Sequence, residues 1–416
     1  MKAIARTSKT SAPPQSLFTR DFVLLCLVTL GFFASFFFFF PTLPFYIKHL
    51  GGQEADVGML IGISSLVSFG IKPLAGRWTD RYGRVGVMTV SVGLFACGAV
   101  LHVWALSIGI LLALRLLYGF ALGCFTTASG AYLADVAPAE RRAEATSYWG
   151  LVSSLAMGVV PPFALGLMDS PTLHPWEERL VGLLPGLSQK ADWPDNFSLL
   201  FLTAAGIALL ASGLSSRLSE LHTSGVSTGK RPLFAREALL PMFVHVFLYL
   251  TFTSYTTFLP LYARTFGLGN AGYLYSTYAV VLVVIRMLSA RIGDRYGRSA
   301  VIVPGLSLAL MAQLAFAFAW SGQALYLGVS LYAMGVGLAQ PGLGAFVIDR
   351  LTPERRGIGM ATFAQGLDLG MGLGGVLMGS IATQAGFTPM YLCGSGCLAV
   401  ALAIFVWGSR TSEAQP

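Results

Sequence analysis

The sequence predicts an all-α integral membrane protein, with twelve transmembrane helices in two pseudo-symmetric six-helix bundles, and three observations carry that expectation. Of 416 residues, 55% are hydrophobic and 11% charged, against roughly 25% charged in soluble domains, which leaves too little polar surface to face water. Apolar runs long enough to cross about 30 Å of hydrocarbon recur throughout. The chain also repeats itself. Asp80-Arg81-Tyr82-Gly83-Arg84 returns letter for letter as Asp294-Arg295-Tyr296-Gly297-Arg298. The same 214-residue shift carries Glu140-Arg141-Arg142 onto Glu354-Arg355-Arg356, Lys72 onto Arg286, Tyr118 onto Tyr332 and Asp135 onto Asp349. Upstream, Leu43-Pro44-Phe45-Tyr46 answers Leu259-Pro260-Leu261-Tyr262 at a shift of 216. Internal repeats of this size in an apolar chain mark paired halves.

In chain order, a tail (1–20) leads into spans at 21–45, 57–76, 85–105, 107–134, 143–167 and 197–215, which make the first bundle (21–216). A linker (217–237) precedes spans at 238–262, 271–290, 299–319, 322–348, 358–383 and 388–408, which make the second bundle (238–409), and 410–416 form the closing tail. The first span is too long for a signal-peptide core and no small-residue cleavage site follows it, so it is expected to stay attached. The longest loop, 168–196, carries Trp176, Trp193 and several prolines and acids. It fits either a short interfacial helix around Trp176 to Leu184 or a plain connection. Asn196-Phe197-Ser198 matches a glycosylation acceptor but abuts a span. The linker is polar, with Ser/Gly residues followed by Lys230-Arg231-Pro232. In the eleventh span Gly366, Gly370, Gly374 with Gly375, and Gly379 recur at four-residue steps, which permits close helix approach. Gly370, Gly372 and Gly375 formally spell a dinucleotide fingerprint, but no strand precedes them.

The formal charge of +8 raises the question of nucleic acid, and its distribution answers it. Lys and Arg between spans gather on the side of the N-terminal tail, the exceptions being Lys48, Arg179, Lys190 and Arg264. That asymmetry places both termini in the cytoplasm of a multi-pass plasma-membrane protein, the inner membrane in a bacterium, and leaves a nucleic-acid partner nothing to explain. The five cysteines all fall within spans without metal spacing and read as small apolar packing residues. No cofactor or metal is implied, and with no histidine cluster and no nucleophile elbow an enzyme is not expected.

The turn Gly76-Arg77-Trp78-Thr79-Asp80-Arg81-Tyr82-Gly83-Arg84 resembles the loop motif G-x-L-a-D-r-x-G-r-k between helices 2 and 3 of the major facilitator superfamily. It departs from that motif at Trp78, Thr79 and Val85, and the second copy has Ala290 for the leading glycine. Arg115-Leu116-Leu117-Tyr118-Gly119 is similar to the family's helix 4 motif R-x-x-q-G, with Tyr118 for glutamine. Gly158, Pro161, Pro162 and Gly166 are similar to its antiporter motif, with Pro161 and Leu165 for two glycines. The resemblance is closest to the twelve-helix drug/proton antiporter branch. It implies alternating access by rocking of two bundles and, foremost, proton-coupled efflux of an amphiphilic compound. The alternatives are a proton-coupled importer, and a non-transporting sensor or assembly protein of the same fold. The partners implied are a small-molecule substrate, protons and the lipid bilayer, for a monomer.

Within that frame, Gly76, Asp80, Arg81, Gly83 and Arg84, with Asp294, Arg295, Gly297 and Arg298, form a cytoplasmic gate. Asp135 and Asp349 are placed to receive Arg84 and Arg298, a pairing expected to favour closure on that side. Lys72 and Arg286 are expected to snorkel to the headgroups. Arg115, about 12 Å deep at 1.5 Å per residue, needs water or a partner. Asp368, roughly 16 Å into its span, is the first choice for a proton carrier, and the resemblance to the helix 4 motif implies a part in proton coupling for Arg115. A polar and aromatic band (His245, Tyr249, Thr253, Thr256), joined by Phe36, Tyr118, Tyr332 and Gln365, is expected to line the substrate cavity.

Overall fold

The computed structural model describes residues 16–138, 141–187, 193–220, 234–352 and 355–413. The start of the N-terminal tail, the Ser/Gly and Lys230-Arg231-Pro232 stretch of the linker, the end of the C-terminal tail, Glu140, Lys190 and Glu354 lie outside the described residues. Among the described residues, twelve helices are long and apolar enough to cross a membrane.

The first six spans are α1 (Arg20–His49), α2 (Glu54–Tyr82), α3 (Arg84–Leu101), α4 (Ile108–Val136), α5 (Arg142–Met168) and α7 (Phe197–Ser215). Local chemistry sets their starts. The Thr19 hydroxyl accepts from the Phe22 amide (3.3 Å) to open α1, and Ser107 does the same for Ile110 to open α4, each satisfying an amide without an intrahelical partner. Between α5 and α7 the loop folds into a short helix, α6 (His174–Leu183), the helical one of the two forms expected there. It positions Glu177, whose buried carboxylate accepts the Ser198 and Leu199 amides at 2.8 Å each and so neutralises the positive end of α7. Asn196 is fully buried and its amide donates to the Leu167 and Ser170 carbonyls. It closes α5, and the sugar-acceptor reading is excluded by that burial.

The second six spans begin with a composite: α8 (Leu239–Thr253), a π-helical turn at Ser254–Phe258 and α9 (Leu259–Thr265). Pro260 has no N–H to give the carbonyl four residues back, at Thr256. The Tyr275 hydroxyl donates to that carbonyl instead, the kind of repair that lets an apolar environment tolerate proline. There follow α10 (Gly272–Tyr296), α11 (Ser299–Ala317), α12 (Gly322–Asp349), α13 (Arg356–Ala385) and α14 (Phe387–Glu413).

The repeat is visible in packing as well as in sequence. In the first half α2 packs on α4, α3 on α4 and α3 on α7; in the second, α10 on α12, α11 on α12 and α11 on α14. Two helix pairs chiefly join the halves, α2 with α13 and α5 with α10. They are equivalents under the repeat. Gly62 meets the Gly372 carbonyl, and their counterparts Ser276 and Gly158 meet through a hydrogen bond from the Ser276 hydroxyl to the Gly158 carbonyl (2.6 Å). The eleventh-span glycines serve two partners. Gly366, Gly370 and Gly374 back onto α8, while Gly372, Gly375 and Gly379 back onto α2. A Cβ at Gly379 would sit 2.7 Å from the Glu54 carbonyl oxygen, and one at Gly62 2.9 Å from that of Gly372.

Candidate functional site

The arginine-bearing turns lie at one end of the bundle, called here the basic end. Gly83 and Gly297 both take positive φ, 89° and 87°, a conformation that costs a residue with a Cβ. That geometry ends α2 and α10 and starts the next helices at once. Arg84 Nε donates to Asp135 Oδ2 at 2.9 Å, with Asp80 at 3.8 Å. Arg298 Nε donates to Asp349 Oδ2 and Nη1 to Asp294 Oδ1, both at 2.7 Å. Arg81 and Arg295 each lie 5.3 Å over the ring of the next residue, Tyr82 and Tyr296. A Cβ on Gly76 would meet no heavy atom within 4 Å, which agrees with alanine at its counterpart.

These ion pairs differ from the expected gate in one respect. Each lies wholly within one half, so neither pair draws the halves together. The first copy also carries a contact that the linker gave no reason to expect: the Glu220 carboxylate accepts the amides of Arg84 (2.8 Å) and Val85 (3.0 Å). It is held there by the Tyr132 hydroxyl on the Ser219 carbonyl (3.0 Å). The available signal was a helix start that needs an anion beside an unplaced glutamate.

The hydrogen bonds that join the halves gather at mid-span and toward the opposite end. There the Thr383 hydroxyl accepts the Ala55 amide (2.7 Å), Asn270 donates to the Pro162 carbonyl (2.8 Å), and Arg264 donates to Asp169 (2.7 Å). The Arg264 guanidinium also lies 3.9 Å over the Phe45 ring. Beside it His49 Nε2 stands 3.4 Å from Asp195, whose carboxyl is pushed up by burial and held back in part by His49.

At mid-span the deepest link is the ion pair of Lys72 on α2 with Asp368 on α13, to which the Ser68 hydroxyl adds a hydrogen bond at 3.2 Å. The Asp368 side chain is 4% exposed and that of Lys72 21%, so the acid is the more deeply buried member of the pair. Lys72 therefore does not snorkel to the headgroups. A carboxylate within reach is worth more to a buried ammonium than a distant interface. Arg286 does not snorkel either: its Nη2 donates to Gln340 Oε1 (2.7 Å), and Gln340 Nε2 donates to the Tyr249 hydroxyl (2.8 Å).

Arg115 is not brought to Asp368. It is 3% exposed inside the first half, with Nη2 3.2 Å from His102 Nε2 and the Tyr118 and Phe39 rings 4.6 and 5.4 Å from its guanidinium. His102 and the π faces are the partners that its depth demanded. Most of the expected cavity set is also packed within one half. Tyr118 belongs to the Arg115 cage. Tyr332 bonds Thr251 and the Leu248 carbonyl, Thr253 reaches the Tyr249 and Met371 carbonyls, and Thr256 bonds back to the Phe252 carbonyl. His245 is buried, stacked on Phe363 at 4.2 Å. Helical spacing placed these residues on common faces without saying which faces look outward. One apolar cluster does span the halves: Phe40 with Tyr249 and Met371, flanked by partly exposed Phe36, Phe37 and Phe252. Gln365 is partly exposed, and its Oε1 has no hydrogen-bond partner among the described residues.

The comparisons with known proteins agree with this architecture. The sequence model of the Major Facilitator Superfamily matches residues 25–273 and 241–416. The staphylopine export protein of Staphylococcus aureus (strain Mu50 / ATCC 700699) is 23% identical over 403 residues, covering 92% of this chain and 95% of that protein. An uncharacterized MFS-type transporter, YhhS, of Salmonella enteritidis PT4 is 26% identical over 390 residues, covering 87% of this chain and 86% of the relative. Among solved structures, a bacterial homolog of the human lysosomal transporter Spinster, inward-facing and occupied, superposes with a TM-score of 0.79 at 16% identity, covering 94% and 96% of the two chains. A D-xylose–proton symporter gives 0.71 at 15% identity, covering 92% and 96%. With both copies matched by the family's sequence model and the duplicated bundle in place, the chain belongs to the major facilitator superfamily, as a multi-pass secondary transporter and not an enzyme.

Proposed function

We propose that this protein is a proton-coupled exporter of an amphiphilic organic compound, and that Lys72 and Asp368 are its coupling pair. The observation that carries this reading is that the pair bridges the two halves at mid-span. A carboxylate that holds two moving bodies together links its own protonation to their separation. Ionised, it retains the Lys72 ammonium; protonated, it no longer offsets that charge, and the link weakens.

The basic end is taken as cytoplasmic, by the asymmetry of Lys and Arg, in a bacterial inner membrane. The contacts at the opposite end then close the outer side, which corresponds to an inward-open state. The ionised pair is what such a state would hold after releasing its proton to the cytoplasm and before loading its cargo. The export direction is supported by the relative named for staphylopine export, and amphiphilic cargo by the aromatic patch of Phe36, Phe37, Phe40, Tyr249 and Phe252.

The test is flux in proteoliposomes under an imposed pH gradient, with Asp368→Asn beside the native protein. Gradient-driven flux is expected to fall to background while gradient-free exchange persists. Undiminished driven flux in that variant would remove Asp368 from the mechanism. A pH gradient that drives uptake toward the basic end would replace the export reading with import.

A further inference from the structure

The repeat maps Lys72 onto Arg286 and Ser154 onto Asp368, and the interfaces that carry them, α2 with α13 and α10 with α5, are equivalents too. Equivalent places thus hold unequal charge. In one interface the cation meets an acid. In the other the cation is Arg286, and the position corresponding to the acid is Ser154, whose hydroxyl turns back onto its own helix at the Gly150 carbonyl (3.1 Å). Among the described residues, Arg286 makes its hydrogen bond to the neutral Gln340 amide, and no carboxylate pairs with it.

Arg286 lies ten residues from the end of α10 at Tyr296, about 15 Å along the helix. A guanidinium within a span whose one hydrogen bond goes to a neutral amide is left with its charge unmet. Its orientation is fixed rather than free. One Nη is spent on Gln340, and Gln340 is pinned in turn by the Tyr249 hydroxyl, which belongs to the aromatic patch between the halves. The remaining N–H groups form a planar fork suited to two oxygens of one anion.

We propose that the transported compound supplies the missing counter-ion: the site takes an amphiphile bearing a carboxylate, which pairs with Arg286 while its apolar body lies on Phe36, Phe40 and Tyr249. The proposal rests on the export reading for the side of entry and extends it by the charge class of the cargo. It also gives the asymmetry a use. The Lys72–Asp368 pair is filled from within the chain and handles the proton, and the equivalent Arg286 position is left to be filled by cargo.

The experiment measures binding to the purified full chain in detergent, by tryptophan fluorescence and thermal shift. The probes are aromatic carboxylates matched with their primary amides: N-acetyl-phenylalanine, indole-3-acetate and 2-naphthoate. At least one acid is expected to bind at least tenfold more tightly than its amide. Arg286→Gln should abolish that preference, Arg286→Lys should keep part of it, and Ser154→Asp should abolish it by supplying the carboxylate internally. Acids and amides that bind alike, no binding of any acid, or a preference that survives both Arg286→Gln and Ser154→Asp would overturn the proposal. So would selective displacement of the acids by phosphatidylglycerol and not by phosphatidylcholine, which would make a lipid headgroup the occupant. Binding needs no gradient, so a failure here leaves the coupling role of Asp368 standing, and a failure of coupling leaves the acid preference to be judged separately.

Discussion

Asp169, just past the end of α5, receives the Arg264 guanidinium at 2.7 Å from the other half of the molecule, and the same guanidinium covers the Phe45 ring on α1. One side chain of the second half thus touches two helices of the first. Both partners are about two-fifths exposed, so the ion pair by itself contributes up to about 1 kcal/mol. That is enough to shift a two-state balance by about fivefold. Arg264→Ala is expected to favour opening at this end. The check is the rate at which a cysteine introduced at Gly166 reacts with a water-soluble maleimide, which should rise by about that factor; an unchanged rate would show that this contact does not restrain the opening.

Asp195 offers a test by pH. It faces His49, Asp169 and Arg264, and burial raises its carboxyl above the ordinary value. A raised carboxyl stabilises the fold in its protonated form, so its contribution is whole below the usual carboxylate range and is lost as pH rises through the raised value. Once ionised, Asp195 is therefore a liability that His49 and Arg264 offset only in part. Asp195→Asn is expected to melt above the native protein at pH 7, with the gap closing at pH 4. A gap that widens on acidification would contradict the assignment.

The two arginine-bearing turns look interchangeable in sequence and differ in surroundings. A Cβ at Gly83 would lie 2.7 Å from the Glu220 carboxyl carbon, while one at Gly297 would meet nothing within 4 Å. Alanine at either site incurs strain of about 1–3 kcal/mol, because positive φ combined with ψ of 156° and 163° is a conformation essentially confined to glycine. Only Gly83→Ala should also dislodge a carboxylate that caps α3, a further cost of about 0.5–2 kcal/mol. Thermal unfolding should rank Gly83→Ala below Gly297→Ala, and equal losses would place Glu220 away from α3.

The backbone approach of α2 to α13 has no room for a methyl group: a Cβ at Gly375 would come 2.9 Å from the Gly62 amide nitrogen. Overpacking of this kind costs about 1–3 kcal/mol when the parts cannot separate. Here they can, so Gly375→Ala is expected to prise the halves apart at the end opposite the arginines. Cysteines placed at Ala55 and Thr383, whose backbone and side chain now share a hydrogen bond, should cross-link less in that variant. Gly357→Ala, with open space around it, is the control that should leave cross-linking unchanged.

The helices and their pairing into halves were legible because apolar length and an unbroken repeat register are properties of the chain alone. Asp368 and Arg115 were legible as costly residues, since depth follows from counting along a helix. What depth could not supply was the partner. Lys72 and Asp368 are 296 residues apart and meet only because α2 packs against α13 of the other half. Both stand at similar distance from the basic ends of their helices, Tyr82 and Arg356, a match hidden in the sequence because α2 runs past the apolar stretch that ends at 76. The cavity residues were the least legible. Tyr118, Thr253, Thr256 and Tyr332 lie on helices packed from several sides, where a shared face can turn inward to its own bundle as readily as to the cleft.

Glu220 also settles where the connection between the halves begins. With its carboxylate seated on α3, and with the Tyr132 hydroxyl of α4 on the Ser219 carbonyl, the stretch up to Glu220 travels with the first half. The join to the second half therefore departs from α3 and α4, and not from the end of α7 where the helix itself stops.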